Sequence, residues 1–125
     1  MRSKATTLTG QELEIMKVIW ERGQVTVRDV YEALLERRKI AYTTVMTMMK
    51  ILEQKGHLRR KTAEKAYLYE PAKPKQQVIQ SMVREFLDLV FNGSVEPLLL
   101  HLVEDKHLTK KDLEEIARMI PRRKS

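Results

Sequence analysis

The chain has 125 residues, no cysteine, 42% hydrophobic and 33% charged residues, and a formal net charge of +7. That size holds one domain or two small ones, and the composition is that of a soluble, folded, largely helical protein. Disulfides, thiolate metal sites and thiol nucleophiles are excluded; no apolar run approaches the roughly 18 residues of a membrane span, the N-terminus lacks a signal-peptide core, and cytoplasm is the expected compartment.

Three helix starts are written alike. Thr9, Thr26 and Thr109 each precede an acid by three residues (Glu12, Asp29, Asp112), and apolar pairs flank them: Leu8 and Leu13, Val25 and Val30, Leu108 and Leu113. Each threonine can accept an orphaned backbone N–H, each acid can reach back to the cap, and each apolar pair staples the entry. Asp, being shorter, is expected to close its box less well than Glu.

The first helix is expected from Gly10 to Arg22, with Leu13, Met16, Ile19 and Trp20 inward and Gly23 ending it. Trp20 continues the apolar stripe and reads as core rather than as a platform for a stacked base. Gln24 and Val25 could pair briefly as a strand. The second helix, from Val27 to about Arg38, should bury Val30, Leu34 and Tyr31.

The third helix lies within Ile40–Gly56 and is the most informative stretch. Val45, Met48, Met49 and Leu52 recur at helical spacing as a buried stripe. The opposite side carries Thr43, Thr47, Lys50 and Gln54, with Thr44 beside them and no acid before Glu53. Small hydrogen-bonding side chains beside a cation suit a helix in a DNA groove; a half-buried helix with a merely polar outer face fits the same pattern. Charge favours the groove. Residues 37–65 hold nine Lys/Arg against Glu53 and Glu64, whereas residues 76–125 balance to zero. A local basic excess of this kind is the footprint of a polyanionic partner.

After Gly56 the period becomes alternating, as His-Leu-Arg-Arg-Lys-Thr and then Tyr-Leu-Tyr-Glu across a four-residue turn, which reads as a hairpin. Leu58 and Leu68 are expected inward, with Arg59, Lys61 and Lys65 outward. Three helices followed by a basic hairpin is the order of a winged helix-turn-helix domain. Pro71 and Pro74 then break the pattern as a hinge. A helix ending at Asn92-Gly93 follows, then Val95–Glu104 capped by Ser94, then Lys110–Ile120 burying Leu113, Ile116, Ala117 and Ile120.

The expected fold is therefore mainly α with a small β-hairpin wing: a winged helix-turn-helix domain at 1–73 and a three-helix dimerisation domain at 74–125. The first two C-terminal helices are apolar on too many sides for so small a segment, so a homodimer sharing one core is expected; packing back onto the N-terminal domain is the alternative, against which the proline hinge argues. Catalysis is not expected. All four glycines sit at helix boundaries, the three histidines lack partners at metal-ligand spacing, and no serine or threonine has a base at recognisable spacing. No cofactor or metal is implied. A winged helix that docks on proteins instead of DNA is the alternative.

The motifs L-T-G-Q-E-L-E-I-M-K-V-I-W, V-T-V-R-D-V, A-Y-T-T-V, L-E-Q-K-G, the Y-L-Y of the hairpin and F-N-G-S-V-x-x-L-L together resemble the penicillinase-repressor (BlaI/MecI/CopY) family, from about Leu8 to Ile120. The resemblance implies a dimeric winged-helix transcriptional repressor on palindromic operators in double-stranded DNA. It places Tyr42, Thr43, Thr44, Thr47 and Lys50 among base and phosphate contacts, and Arg60 and Lys65 on the wing against the backbone. Phe86, Leu98, Leu99 and Leu102 fall in the family's dimerisation helices. The copper-responsive branch ends in cysteine pairs, absent here. The β-lactam-responsive branch is switched by a regulatory protease at an Asn-Phe site, where this chain has His101-Leu102.

Overall fold

The computed structural model describes residues 8–62 and 66–120. In chain order these form α1 (Gly10–Arg22), α2 (Val27–Leu35), α3 (Tyr42–Gln54), β1 (Leu58–Thr62), β2 (Tyr67–Pro71), α4 (Lys75–Phe91), α5 (Val95–Glu104) and α6 (Lys110–Met119). Two compact units result, one ending at Met82 and one starting at Val83.

All three predicted capping boxes close in both directions. The Thr9, Thr26 and Thr109 hydroxyls accept from the N3 amides, and the acids accept from the threonine amides at 2.9, 2.9 and 3.0 Å. The two Asp boxes are thus as short as the Glu box, against expectation: the cap backbone brings its N–H close enough for either side chain. Gly23 and Gly56, at φ of 91° and 88°, stop α1 and turn the chain after α3 in the left-handed region, where a Cβ is strained. α2 stops at Leu35, earlier than expected. The Arg37 and Arg38 amides both turn back to the Leu34 carbonyl at 2.9 and 3.1 Å, a tight finish that leaves a short link to α3.

The first unit is organised around Ile15, Met16 and Ile19 of α1, Val30 and Leu34 of α2, and Val45, Met49 and Leu52 of α3, all essentially without solvent contact. The inward stripe of α1 is rotated from the expected one. Ile15 replaces Leu13 and Trp20 at its centre, and these two pack only partly buried at its margins. The rotation brings Glu12 inside as well. Its carboxylate accepts from the Thr9 amide at 2.9 Å and from the Lys55 ammonium at 2.8 and 3.1 Å. One acid therefore caps the start of α1 and fastens the end of α3 to it.

The hairpin is antiparallel, with Leu58 opposite Pro71 and Thr62 opposite Tyr67. In this register even-numbered residues of β1 share a face with odd-numbered residues of β2. Tyr69, opposite Arg60, is therefore buried on the same face as Leu58, and Leu68, expected inward, stands opposite Lys61 on the other face. Val25 completes the small sheet as expected, exchanging backbone hydrogen bonds with Tyr69 at 3.0 and 2.7 Å. Pro71 ends β2 and Pro74 precedes α4, whose Val78 is buried in the first unit's core with Met82 packed against it. The division between the two units falls inside α4.

In the second unit, Asn92 and Gly93, at φ of 53° and 84°, turn the chain between α4 and α5. Phe91 meets Phe86 edge-on at 5.8 Å and His101 at the same distance. Ser94 occupies the cap position of α5 but makes no side-chain cap bond, unlike the threonines. No side chain of α5 or α6 is buried. Leu113, Ile116, Ala117 and Ile120, expected inside, are exposed in the single chain, because too little chain surrounds them. No single described helix is long and apolar enough to cross a membrane.

Burial works to raise the pKa of Glu12, but the hydrogen bond from Lys55, the Thr9 amide and the Lys55 charge outweigh it, so the carboxyl is held below its ordinary value. Its stabilising contribution is complete above the ordinary carboxylate range and is lost as pH falls through the depressed folded value. Glu12→Gln keeps an acceptor for the cap but removes the carboxylate charge facing Lys55, whose side chain is only 19% exposed. We expect a loss of about 2 kcal/mol in urea denaturation near neutral pH, between the values for exposed and fully buried pairs. The gap to the parent should shrink as pH falls through the depressed Glu12 value; a pH-independent gap would mean that the ion pair contributes nothing.

Candidate nucleic-acid interface

α3 is held at both ends. Lys55, just past its C-terminus, is tied to Glu12, and near its start the Tyr42 ring meets Tyr31 of α2 edge-on at 5.3 Å. Between these anchors Val45, Met49 and Leu52 are sunk in the core, so the opposite face is presented rigidly. Tyr42, Thr43, Thr44, Thr47 and Lys50 are all exposed, and Thr43, Thr47 and Lys50 share one face at helical spacing. The helix has no side-chain cap, since Ala41 stands at its start, and the Thr44 and Val45 amides turn back to the Ala41 carbonyl. The Tyr42 and Thr43 amides thus remain open at the positive end of the helix dipole.

The wing presents two differently charged faces. On the outer one Arg59 and Lys61 converge on Glu70 at 3.1 and 3.4 Å. The Gln24 amide, Arg59 and Lys61 together hold the Glu70 carboxyl below its ordinary value. On the inner face, beyond Leu58 and Tyr69, Arg60 lies 4.4 Å over the Tyr67 ring and 3.6 Å from Glu53 of α3. Lys65, expected on the wing, lies outside the described residues.

The basic excess is therefore partly compensated internally. Arg38 pairs with Glu14 at 2.8 Å and, chiefly through that hydrogen bond, lowers the pKa of Glu14. Among the described residues Arg37, Lys39 and Lys50 make no ion pair, and Lys50 is the sole basic residue within α3 itself.

Between α3 and the inner face of the wing lies an open cleft of about 700 Å³, walled by Arg28, Tyr42, Met46, Lys50, Arg60 and Tyr67 among others. Two of these residues escaped the sequence reading. Arg28 sits in the first turn of α2, its side chain 69% exposed beside Glu32. Met46 is 40% exposed, one turn after Tyr42 and one before Lys50. Its type suggested core, and only its phase on the helix separates it from Met49. The expected dimerisation residues sit elsewhere, in the second unit, where Phe86 is exposed and Leu98, Leu99 and Leu102 are half-buried.

Comparison with known proteins agrees with this geometry. The penicillinase repressor family profile matches residues 8–122. The chain is 25% identical over 122 residues to the penicillinase repressor of Bacillus licheniformis, spanning 98% of this chain and 95% of that one. It is 35% identical over 104 residues to the transcriptional regulator BlaI of Mycobacterium tuberculosis, spanning 82% and 75%. Among solved structures, the DNA-binding domain of the repressor BlaI superposes with a TM-score of 0.52 at 27% identity, covering 59% of this chain and 90% of that one. The monomeric Bacillus licheniformis BlaI in complex with the blaP half-operator gives 0.51 at 27% identity, covering 56% and 85%. With the profile spanning nearly its whole length, this chain belongs to the penicillinase repressor family.

Proposed function

We propose that the chain is a sequence-specific, DNA-binding transcriptional repressor, not an enzyme, that acts in the cytoplasm as a homodimer on palindromic operators. The observation that carries this reading is the exposed, acid-free face of Thr43, Thr47 and Lys50 on a helix anchored at both ends, beside a cationic wing. α3 enters the major groove, Tyr42, Thr43, Thr44, Thr47 and Lys50 meet bases and phosphates, and Arg60 and Lys65 follow the adjacent backbone. Support comes from the relative solved on its half-operator, whose fold this chain shares.

Homodimerisation is supported by the second unit. Leu89 is 80% exposed, Leu100 59% and Val90 51%, more apolar surface than so small a unit leaves open to water. Phe86, Leu98, Leu99 and Leu102 belong to the shared core in this reading, and residues 74–125 act as the dimerisation domain beside a DNA-binding domain at 1–73. A regulatory protease acting at His101-Leu102 would have to open α5, since both residues lie within Val95–Glu104.

Selection of preferred duplexes from random DNA, followed by gel-shift titration, tests the function; no affinity for duplex DNA at moderate salt would point to a protein-docking winged helix instead. Lys50→Ala should lower the slope of log affinity against log salt by about 0.9, one phosphate contact's worth. An unchanged slope removes Lys50 from the backbone contacts. Thr47→Ala should change the preferred sequence, costing about 1–3 kcal/mol at the affected position; an unchanged preference would leave Thr47 a non-reading residue. In sedimentation at micromolar concentration the full chain should be a dimer and Leu89→Glu a monomer, since a charge at this exposed position costs nothing in the lone chain. A dimeric Leu89→Glu would move the interface off this face of α4.

A further inference from the structure

The first unit places three methionines in α3 and uses them differently. Met49 has no exposed surface and Met48 packs half-buried against the core, whereas Met46 stands 40% exposed on the wall of the cleft, among Tyr42, Lys50 and Arg60. Folding accounts for that position only in part: between a tyrosine and a lysine, 40% of this apolar residue's surface stays in water and gains nothing from burial. The exposed face of α3 also lacks arginine and asparagine, and its one glutamine, Gln54, ends the helix. The bidentate side chains that most commonly read guanine and adenine are thus absent from its middle. What remains there is threonine, lysine and methionine. Of the groups a base pair shows in the major groove, the 5-methyl of thymine is the apolar one. A thioether on three rotatable bonds can settle against such a methyl without strain.

We propose that Met46 is a specificity-determining residue that reads a thymine methyl in the half-site. The proposal rests on the DNA-binding reading above and adds to it the identity of one base and the residue that selects it. Met46 lies one helical turn from Lys50, about 6 Å along the axis, so its thymine lies within about two base pairs of the group that Lys50 meets. The cations lining the cleft, Arg28, Lys50 and Arg60, hold the backbone on either side and press the apolar contact dry.

The test uses the full chain and its selected duplex, with each thymine replaced singly by deoxyuridine, which removes only the methyl. At one thymine the parent should weaken by about fourfold, the effect of one buried methyl group. Met46→Ala should be indifferent to that same replacement, and Met46→Leu, which keeps an apolar side chain of similar size, should retain the loss. The proposal is overturned if the parent tolerates uridine at every position, or if Met46→Ala shows the parent's full loss. A parent that enriches no sequence at all would remove the DNA-binding reading itself, an outcome separate from any uridine result.

Discussion

The carboxylate of Glu12 is the constraint on which the placement of α3 depends. It accepts from the cap of α1 and from the ammonium that follows α3, so the start of one helix and the end of another meet on a single side chain. A pair this enclosed is a poor source of net stability, because desolvation offsets much of the attraction. Its value lies in position. With Lys55 fixed and Tyr42 packed against Tyr31, α3 has little freedom to roll, and its threonine and lysine face keeps one orientation. Rotation by one residue would exchange Thr47 for Met48 on the exposed face.

The distribution of charge follows the same economy. The basic surplus around residues 37–65 is large in the sequence, yet Arg38, Lys55, Arg59, Arg60 and Lys61 each have a carboxylate within 4.0 Å. These contacts orient the wing and the helices as much as they advertise a basic surface. Arg60 shows the dual role: the Tyr67 ring and Glu53 hold it on the inner face of the wing, toward the cleft, instead of letting it sweep through solvent. Partly exposed pairs of this kind are weak in energy, so the contact with Glu53 orients Arg60 without locking it.

Much of this was legible from residue order. The three Thr-x-x-acid boxes located three helix starts correctly, because capping is local and needs no knowledge of the rest of the fold. The stripe of Val45, Met48, Met49 and Leu52 is legible from period alone, and all but the half-buried Met48 are fully enclosed. The misreadings of what lies inside have non-local causes. Glu12 was scored as a cap and not as core, because its partner lies 43 residues away. Leu68 was placed inward because alternation within one strand cannot reveal which phase the opposite strand imposes. Met46 was passed over since methionine signals burial by type, and a helix flank that borders the wing cannot be told from one that borders the core until the wing is in place. In the second unit the apolar excess was visible, but no periodicity could show that a lone chain leaves α5 and α6 without a buried side chain.

The pinning of the wing at its base has an evolutionary corollary. Val25 and Tyr69 lock the root of the hairpin by paired backbone bonds, and Tyr69 is buried beside Leu58, so an insertion or deletion near the root would invert the strand's phase and expel the tyrosine. Length changes among descendants of this chain should therefore be rare at the root of the wing.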